Sequence, residues 1–332
     1  MTLSKRIFIT GATGFLGSYL LRELLSAGYE NIHALRRVSS SMDLVADIAD
    51  RIRWHEGDVL DVDHLAKAIE GSEAIFHAAA LVSFLPRDKK RLYEINVKGT
   101  ANVVNAALAC GVKDFMYVSS VAALGRSREG EFINEDTPWE DAPNNTNYAH
   151  SKYLAELEVW RGQEEGLQVG IVNPSIILGM GRPGEGTMGF FSRVAKGMTF
   201  YPTGTTGFVD VRDVARFIRL LYESGRRGER FVLSGENMPY GKFFELIARE
   251  LGVRPPHRKV TPFLKELAWR LEGLRARLTF RDPFLTRETA NTAMSTWLYD
   301  HTRSLSLPGF SYTPIEKTIA DVAARFRKEV LV

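Results

Sequence analysis

The sequence predicts an α/β fold with a doubly wound parallel sheet and a smaller, discontinuous C-terminal lobe. Three features of the 332 residues carry that expectation. Short apolar runs alternate with segments of helical period through the first half, the pattern of successive βαβ units. Glycines cluster where the first apolar run gives way to the first helix. After Pro174 the alternation breaks into a Gly-, Met- and Phe-rich stretch, residues 179–200, and then resumes.

In order, strands are expected at residues 6–10, 31–36, 51–56, 73–77, 114–119 and 168–173. Residues 15–27 place Leu16, Leu20, Leu21 and Leu24 on one face of a helix. Residues 89–110 read as one long helix, following Pro86 and closed by Gly111. Crossovers between parallel strands share one hand, which puts helices on both faces of the sheet. Beyond the break, a strand at 207–210, a helix at 211–223 and a strand at 229–234 are expected to return to that sheet. Further helices are expected at 239–251, 262–278, 287–294 and 314–330. The organisation that follows is a sheet-bearing domain of residues 1–178 plus 207–237, a second lobe of 179–206 plus 238–313, and a closing helix in 314–332.

Hydrophobic residues at 45% and charged residues at 25% fit an ordinary globular chain and exclude a disordered or fibrous one. A net charge of +3 gives no reason to invoke nucleic acid. Cys110 is the single cysteine and the seven histidines lack ligand-like spacing, so neither a disulfide framework nor a metal site is expected. The run Ile7-Phe8-Ile9 is too short for a signal-peptide core, and no stretch approaches the roughly 18 apolar residues of a membrane span. A cytoplasmic location is the expectation.

Gly11, Gly14 and Gly17 stand where the first strand ends and a helix begins, so the backbone can turn tightly and bring a pyrophosphate to the helix N-terminus. Their G-x-x-G-x-x-G spacing is a variant of the Rossmann-type fingerprint G-x-G-x-x-G, and it also fits a plain turn. The second strand ends in Arg36-Arg37, where an NAD site would carry a carboxylate. Two guanidiniums favour a 2′-phosphate by charge and bidentate geometry, against the alternative of a solvated basic turn. NADP(H) is therefore the preferred cofactor and NAD(H) the alternative. Asp58, after the third strand, belongs either beside an adenine amino group or in a turn.

Tyr148 and Lys152 lie four apart at the start of a long helical segment, so phenol and ammonium share one face. Protonating a carbonyl oxygen at neutral pH wants a stronger acid than tyrosine, whose ordinary pKa is about 10. A charge about 6 Å away at an effective dielectric near 20 is worth roughly 2.8 kcal/mol, or about two pKa units. Upstream, the fifth strand ends Val118-Ser119-Ser120, and a hydroxyl there can bond the same oxygen. Doubly wound sheets bind ligands at the carboxyl ends of their strands, so loop, serine and helix start converge on one edge.

With these features in place, the chain resembles the extended short-chain dehydrogenase/reductase superfamily, the NAD-dependent epimerase/dehydratase family, over essentially its whole length. The matching segments are Thr10-Gly11-Ala12-Thr13-Gly14-Phe15-Leu16-Gly17, Gly57-Asp58-Val59, His77-Ala78-Ala79-Ala80, Asn96-Val97-Lys98-Gly99-Thr100, Val118-Ser119-Ser120, Tyr148 with Lys152, and Phe208-Val209-Asp210-Val211-Arg212-Asp213-Val214. The resemblance implies Ser120, five residues before Gly125, as the catalytic hydroxyl, Tyr148 as acid/base, and Lys152 as a further holder of the nicotinamide ribose. Asn96 matches a family position near the active site, with a helix-packing amide as the alternative. Cofactor contacts are implied for Gly11, Thr13, Gly14, Phe15, Leu16, Gly17, Arg36, Arg37, Asp58, Val59, Ala78, Ala79, Ala80, Val118, Tyr148, Lys152, Pro174, Ser175, Ile176 and Ile177.

Within the superfamily the chain looks most similar to the dihydroflavonol reductase-like and aldehyde reductase-like branch, through Asn173-Pro174-Ser175-Ile176-Ile177-Leu178-Gly179. That implies an NADP(H)-dependent reductase of ketones or aldehydes, or the reverse alcohol dehydrogenase, with a small, apolar or aromatic carbonyl or alcohol substrate. Phe84, Leu85, Leu124, Met180, Met188, Phe190, Phe191 and Tyr201 are candidates for the pocket wall, or for the core of the second lobe. The competing enzyme reading is a nucleotide-sugar epimerase or dehydratase holding NAD tightly; Arg182 and Arg193 keep a phosphorylated substrate open. A cofactor-sensing regulator is disfavoured by the presence of Ser120, Tyr148 and Lys152 together. In residues 262–278, Leu264, Leu267, Ala268, Leu271, Leu274 and Leu278 form a stripe bordered by Lys265, Arg270, Arg275 and Arg277. The stripe is expected to pack on the protein rather than on a membrane. A homodimer is compatible with the sequence.

Overall fold

Seven strands build the central sheet: β1 (Ile7–Thr10), β2 (Ile32–Arg36), β3 (Arg53–Glu56), β4 (Ala74–His77), β5 (Asp114–Val118), β6 (Gln168–Pro174) and β7 (Glu229–Leu233). They come from a computed structural model described over residues 4–126, 130–142, 145–279, 282–283 and 285–330. Residues 1–3 and 331–332, at the ends of the first domain and the closing helix, lie outside the described residues. Every pairing in the sheet is parallel, in the order β7-β6-β5-β4-β1-β2-β3. β1 and β4 are buried at all positions, as strands covered on both faces must be. Chain direction across the sheet reverses between them, and the crevice beyond their carboxyl ends is where such sheets bind ligands.

Each face has its own core. On one, Leu20, Leu21 and Leu24 of helix Phe15–Ser26 meet Phe217, Ile218 and Leu221 of helix Val211–Ser224. On the other, Val103 and Val104 of helix Gly99–Ala109 meet Ala155 and Val159 of helix Asn147–Glu164. A third core, with Leu178, Met188, Phe191, Phe208 and Phe243, takes in the closing helix Ile315–Val330 through Ile319 and Phe326. Asp210 ties it to the sheet side. Its buried carboxylate caps helix Val211–Ser224 at the Arg212 N–H (2.7 Å) and accepts the Thr318 hydroxyl (2.8 Å).

Three expectations need correction. Of the segments after the break, helix Val211–Ser224 returns to a face of the main sheet, but of the two strands only Glu229–Leu233 rejoins it, filling the edge beside β6. Thr205–Asp210 instead pairs with Ile176–Leu178 and Glu236–Pro239 in a separate three-stranded sheet. The chain of β6 leaves the main sheet at Ser175, whose N–H bonds the Leu233 carbonyl (2.9 Å) at the carboxyl end, so residues 176–178 and their partners lie beyond it.

The helix read at 89–110 is three pieces: α-helical Lys89–Leu92, a π-helical stretch Tyr93–Lys98, and α-helical Gly99–Ala109. The Thr100 hydroxyl takes the Asn96 carbonyl (2.5 Å), supplying a side-chain donor where the backbone ladder widens. In helix Pro262–Thr279 the stripe splits: Leu264 and Ala268 are half-buried, and its four other leucines are not packed on the protein. Lys265 and Ala268 face inward, with Lys265 donating to Asn291 (2.7 Å) of helix Arg287–Met294, and Leu267, Leu271, Leu274 and Leu278 face out.

Candidate active site

The glycine loop is shaped by what it excludes. Gly11 sits at φ +73°, and a Cβ there would lie 2.6 Å from the backbone of Ala78 and Ala79; on Gly17 it would lie 2.1 Å from the Gly11 carbonyl oxygen. Gly14 caps helix Phe15–Ser26 without a side-chain hydrogen bond, so the first-turn N–H groups point into the crevice with no side-chain acceptor at the cap. A close-packed backbone leading into an uncapped helix N-terminus fits a dinucleotide's pyrophosphate. Ala78 N–H bonds the Thr10 carbonyl (3.2 Å) and Ala79 N–H the Thr10 hydroxyl (3.3 Å), fixing β4's exit beside the loop. Leu16 packs into the first core, while Phe15 and Ala80 line the cavity described below.

At the far end of the crevice the predicted residues separate. Arg36 is paired with Glu56 at the end of β3, whereas Arg37 is exposed. Asp58 accepts the Leu60 N–H (3.0 Å) in a local turn, and Val59 is buried against Gly99. Arg182, weighed from sequence as a partner for substrate phosphate, is engaged elsewhere. It binds Asp43 through Nε and a terminal nitrogen (3.0 and 2.8 Å) and donates to the Thr13 carbonyl (3.3 Å). The pair straps the second lobe over the glycine loop and holds the Asp43 carboxyl well below its usual range.

The catalytic candidates meet at the carboxyl edge of β5. Thr146 caps helix Asn147–Glu164 by accepting the Ala149 N–H (3.0 Å), placing Tyr148 in the first turn. The Tyr148 phenol is hydrogen-bonded to Ser120; burial raises its pKa and the Ser120 bond opposes the rise. Ser120 Oγ accepts the Ala122 N–H (3.1 Å), so its own proton can point at a ligand oxygen. Ser119 donates instead to the buried Glu156 carboxylate (2.6 Å).

Lys152, one turn further along the helix, is held by β5. Lys152 is buried and its Nζ donates to the Tyr117 hydroxyl (2.7 Å) and the Val118 carbonyl (2.9 Å). Burial pushes its pKa down to about 7, against the pull of Glu156 one turn along the helix. From Tyr117 the contacts continue inward. Tyr117 is hydrogen-bonded to Thr100, whose hydroxyl oxygen also meets His77 Nε2 (3.0 Å), and His77 Nδ1 meets the Thr10 hydroxyl (2.6 Å). Because Thr100 spends its proton on the Asn96 carbonyl, His77 must donate from Nε2 and accept at Nδ1. That is the neutral ring, and burial, with Lys152 nearby, lowers the His77 pKa to about 3.

Asn96 is also buried, and its amide is saturated: Nδ2 donates to the Leu81 carbonyl (3.0 Å) and Ser151 Oγ (2.9 Å), and Oδ1 accepts the Leu81 N–H (2.7 Å). It staples the chain after β4 to the Tyr148 helix. Glu156 does the same on the other side, accepting from Ser119, Asn173 (2.9 Å) and Arg230 (2.8 Å), while Asn173 also donates to the Ser120 carbonyl (3.0 Å). Tyr117, Arg230 and Glu156 were not singled out from the sequence, and Thr100 entered only as the last residue of a matching segment. Only Glu156 carried a signal, its spacing of four from Lys152.

Ser120, Tyr148, Pro174, Ser175, Ile176 and Ile177 open onto a cavity of about 1240 Å³. Of the proposed wall residues, Phe84, Met188 and Phe190 line it, with the Phe84 ring edge-on to Tyr148 at 5.6 Å. Leu85, Leu124, Met180, Phe191 and Tyr201 do not; Leu124, Met180 and Phe191 are spent on core packing. Val82, Tyr240, Phe244 and Trp297 are among the further large apolar residues of the wall, and Arg126, Arg193, Lys196 and Lys265 also reach it. Arg126 lies over the Trp297 ring at 4.5 Å.

The profile of the NAD dependent epimerase/dehydratase family matches residues 7–234. A Synechocystis protein named "Putative dihydroflavonol 4-reductase" is 32% identical, over 98% of this chain and 96% of its own. Sterol demethylase protein B of Methylococcus capsulatus is 30% identical, over 98% and 99%. The crystal structure of gox2253 superposes with a TM-score of 0.83 at 31% identity, over 98% and 99% of the two chains. With the glycine cradle, the Ser120–Tyr148–Lys152 edge and these relatives together, the chain belongs to the NAD dependent epimerase/dehydratase family of extended short-chain dehydrogenases/reductases and is an NAD(P)-dependent oxidoreductase.

Proposed function

We propose that the protein is an NADP(H)-dependent reductase of apolar ketones or aldehydes, run in reverse as an alcohol dehydrogenase. The observation that carries this reading is the Ser120–Tyr148 pair opening directly onto a large cavity walled by Phe84, Phe190, Phe244 and Trp297. The names of the two relatives refer to a dihydroflavonol and a sterol, polycyclic compounds with broad ring faces of the kind such walls accept.

The cofactor, when bound, supplies the hydride. The glycine loop and the N-terminus of helix Phe15–Ser26 would hold its pyrophosphate, and Arg37 its 2′-phosphate, with Arg36 already balanced by Glu56. Tyr148, kept protonated by burial, gives its phenolic proton to the carbonyl oxygen while Ser120 donates a hydrogen bond to the same atom. Lys152, held by Tyr117 and Val118 on the same helix face as Tyr148, would supply a positive charge on the side of the forming phenolate. Asn96 acts as a positioning residue, because both of its amide protons are already committed.

Replacing Tyr148 with Phe tests the assignment. Turnover of NADPH with a panel of aromatic and alicyclic ketones and aldehydes should fall by about 1,000-fold or more, with NADPH binding unchanged. Retained turnover would overturn it. The cations Arg126, Arg193 and Lys196 on the cavity wall favour a second reading, a nucleotide-sugar epimerase or dehydratase. That reading requires NAD to be released on denaturation of the purified protein and UDP- or dTDP-sugars to be converted without net redox change.

A further inference from the structure

Helix Pro262–Thr279 turns a continuous apolar face to the outside. Phe263, Leu267, Leu271, Leu274 and Leu278 are spaced four, four, three and four residues apart, and they are 79, 41, 56, 54 and 72% exposed. Isolated surface leucines are ordinary, but five large apolar side chains in one line over most of a helix's length are not. At about 100° per residue, Arg270 and Arg277 flank one border of this line and Arg275 the other. Glu266 holds Arg270 (3.3 Å) and Glu272, itself buried, holds Arg275 (2.5 Å), and Arg277 leaves the outer face net positive. The opposite face is accounted for: Glu272 and Ala276 are buried, and Lys265 and Ala268 wall the substrate cavity.

We propose that this face seats the protein on an anionic phospholipid surface, with the apolar line in the acyl boundary and the bordering arginines at the headgroups. The charge pattern selects this occupant over a second copy of the chain. Each border stays net positive, through Arg277 on one side and Arg275 on the other, so anionic headgroups meet both favourably, whereas parallel self-pairing would set the two borders against each other. Seating is peripheral, since among the described residues no helix is long and apolar enough to cross a membrane. Because the same helix walls the cavity from inside, seating it places that cavity one helix thickness from the lipid. The proposal is independent of the reductase reading, as lipid binding is read without turnover.

The test is flotation of the full chain with vesicles of phosphatidylcholine and phosphatidylglycerol, against phosphatidylcholine alone, at low and high salt. The wild type should float with the anionic vesicles and lose most of that binding at high salt. Leu271→Glu with Leu274→Glu should lower the partition coefficient about 100-fold, the loss from two leucines no longer buried in the bilayer. Arg270→Gln with Arg277→Gln should lower it several-fold on anionic vesicles only. Thermal unfolding shows that both variants fold. No flotation of the wild type, or equal flotation of all three proteins, would overturn the proposal. So would light scattering that finds a wild-type dimer made monomeric by the leucine changes, since the line would then be an interface between copies.

Discussion

The edge around Lys152 and the outer face of helix Pro262–Thr279 invert the usual distribution of polarity in opposite directions. At the first, Lys152, Glu156 and His77 are buried, and every one of them has its partners: Tyr117 and Val118, then Ser119, Asn173 and Arg230, then Thr10 and Thr100. At the second, apolar side chains are exposed, with none of the described residues covering them. A buried charge that is fully matched belongs to a mechanism contained within the protein. An exposed apolar line without a match points outside it.

The largest effect expected from this contrast is on stability. Glu156→Ala leaves Arg230 without its carboxylate and Ser119 and Asn173 without their acceptor, and should cost about 3–5 kcal/mol in urea unfolding. Leu271→Glu adds a charge to a surface already in water and should move stability by less than about 0.5 kcal/mol. Comparable losses in the two variants would end the contrast, because the leucine would then be packed and the glutamate dispensable.

What the sequence disclosed follows the same division. Strands β1 to β6 and helices Phe15–Ser26 and Asn147–Glu164 were legible because short buried runs and helical periodicity are local signals. Tyr148, Ser120 and the glycine loop were legible because spacing and position at a strand end limit what they can do. Tyr117 was not, since only the packed structure brings its hydroxyl to Lys152 from 35 positions away. Thr205–Asp210 was misplaced because its apolar run suits either sheet, and the choice is made by β7 taking the edge of β6. The break of residues 89–110 into a π stretch rests on Thr100 bonding back to Asn96, which no periodicity encodes. The 262–278 stripe shows the limit most plainly. Amphipathicity identified the helix, while which of its faces meets the protein depended on the cavity and on helix Arg287–Met294.

The next effect sharpens the buried half of the contrast through pH. His77 is neutral in the fold, with its pKa lowered to about 3, and ionises near 6.5 when unfolded. Between these values the unfolded chain binds the additional proton, so stability falls as pH drops through 6.5 towards 3. The wild type should therefore lose about 2 kcal/mol between pH 7 and pH 5 from this group alone. His77→Asn, which keeps a donor and an acceptor and cannot ionise, should remove that part of the slope in paired urea titrations. An unchanged slope would mean that His77 is protonated in the fold, and the donor assignment from Thr10 to Thr100 would be wrong.

The smallest effect lies where the site reaches the surface, and it asks whether charge there is matched or waiting for a ligand. Arg36 resembles the buried groups in that Glu56 already balances it, whereas Arg37 is exposed like the apolar line. If exposure marks a group whose partner comes from outside, Arg37 carries the 2′-phosphate and Arg36 contributes little. Arg37→Ala should then weaken NADPH about ten-fold, the loss of a charge-assisted bond worth roughly 1.5 kcal/mol, and leave NADH unchanged. Arg36→Ala should cost about two-fold at most, as one exposed charge already paired with a carboxylate. Glu56→Gln gives the opposite sign: with its partner neutralised, Arg36 can turn to the phosphate, and NADPH should bind a few-fold more tightly while NADH does not. Equal responses of the two cofactors to Arg37→Ala, measured by fluorescence titration, would show that this end of the crevice does not read the phosphate.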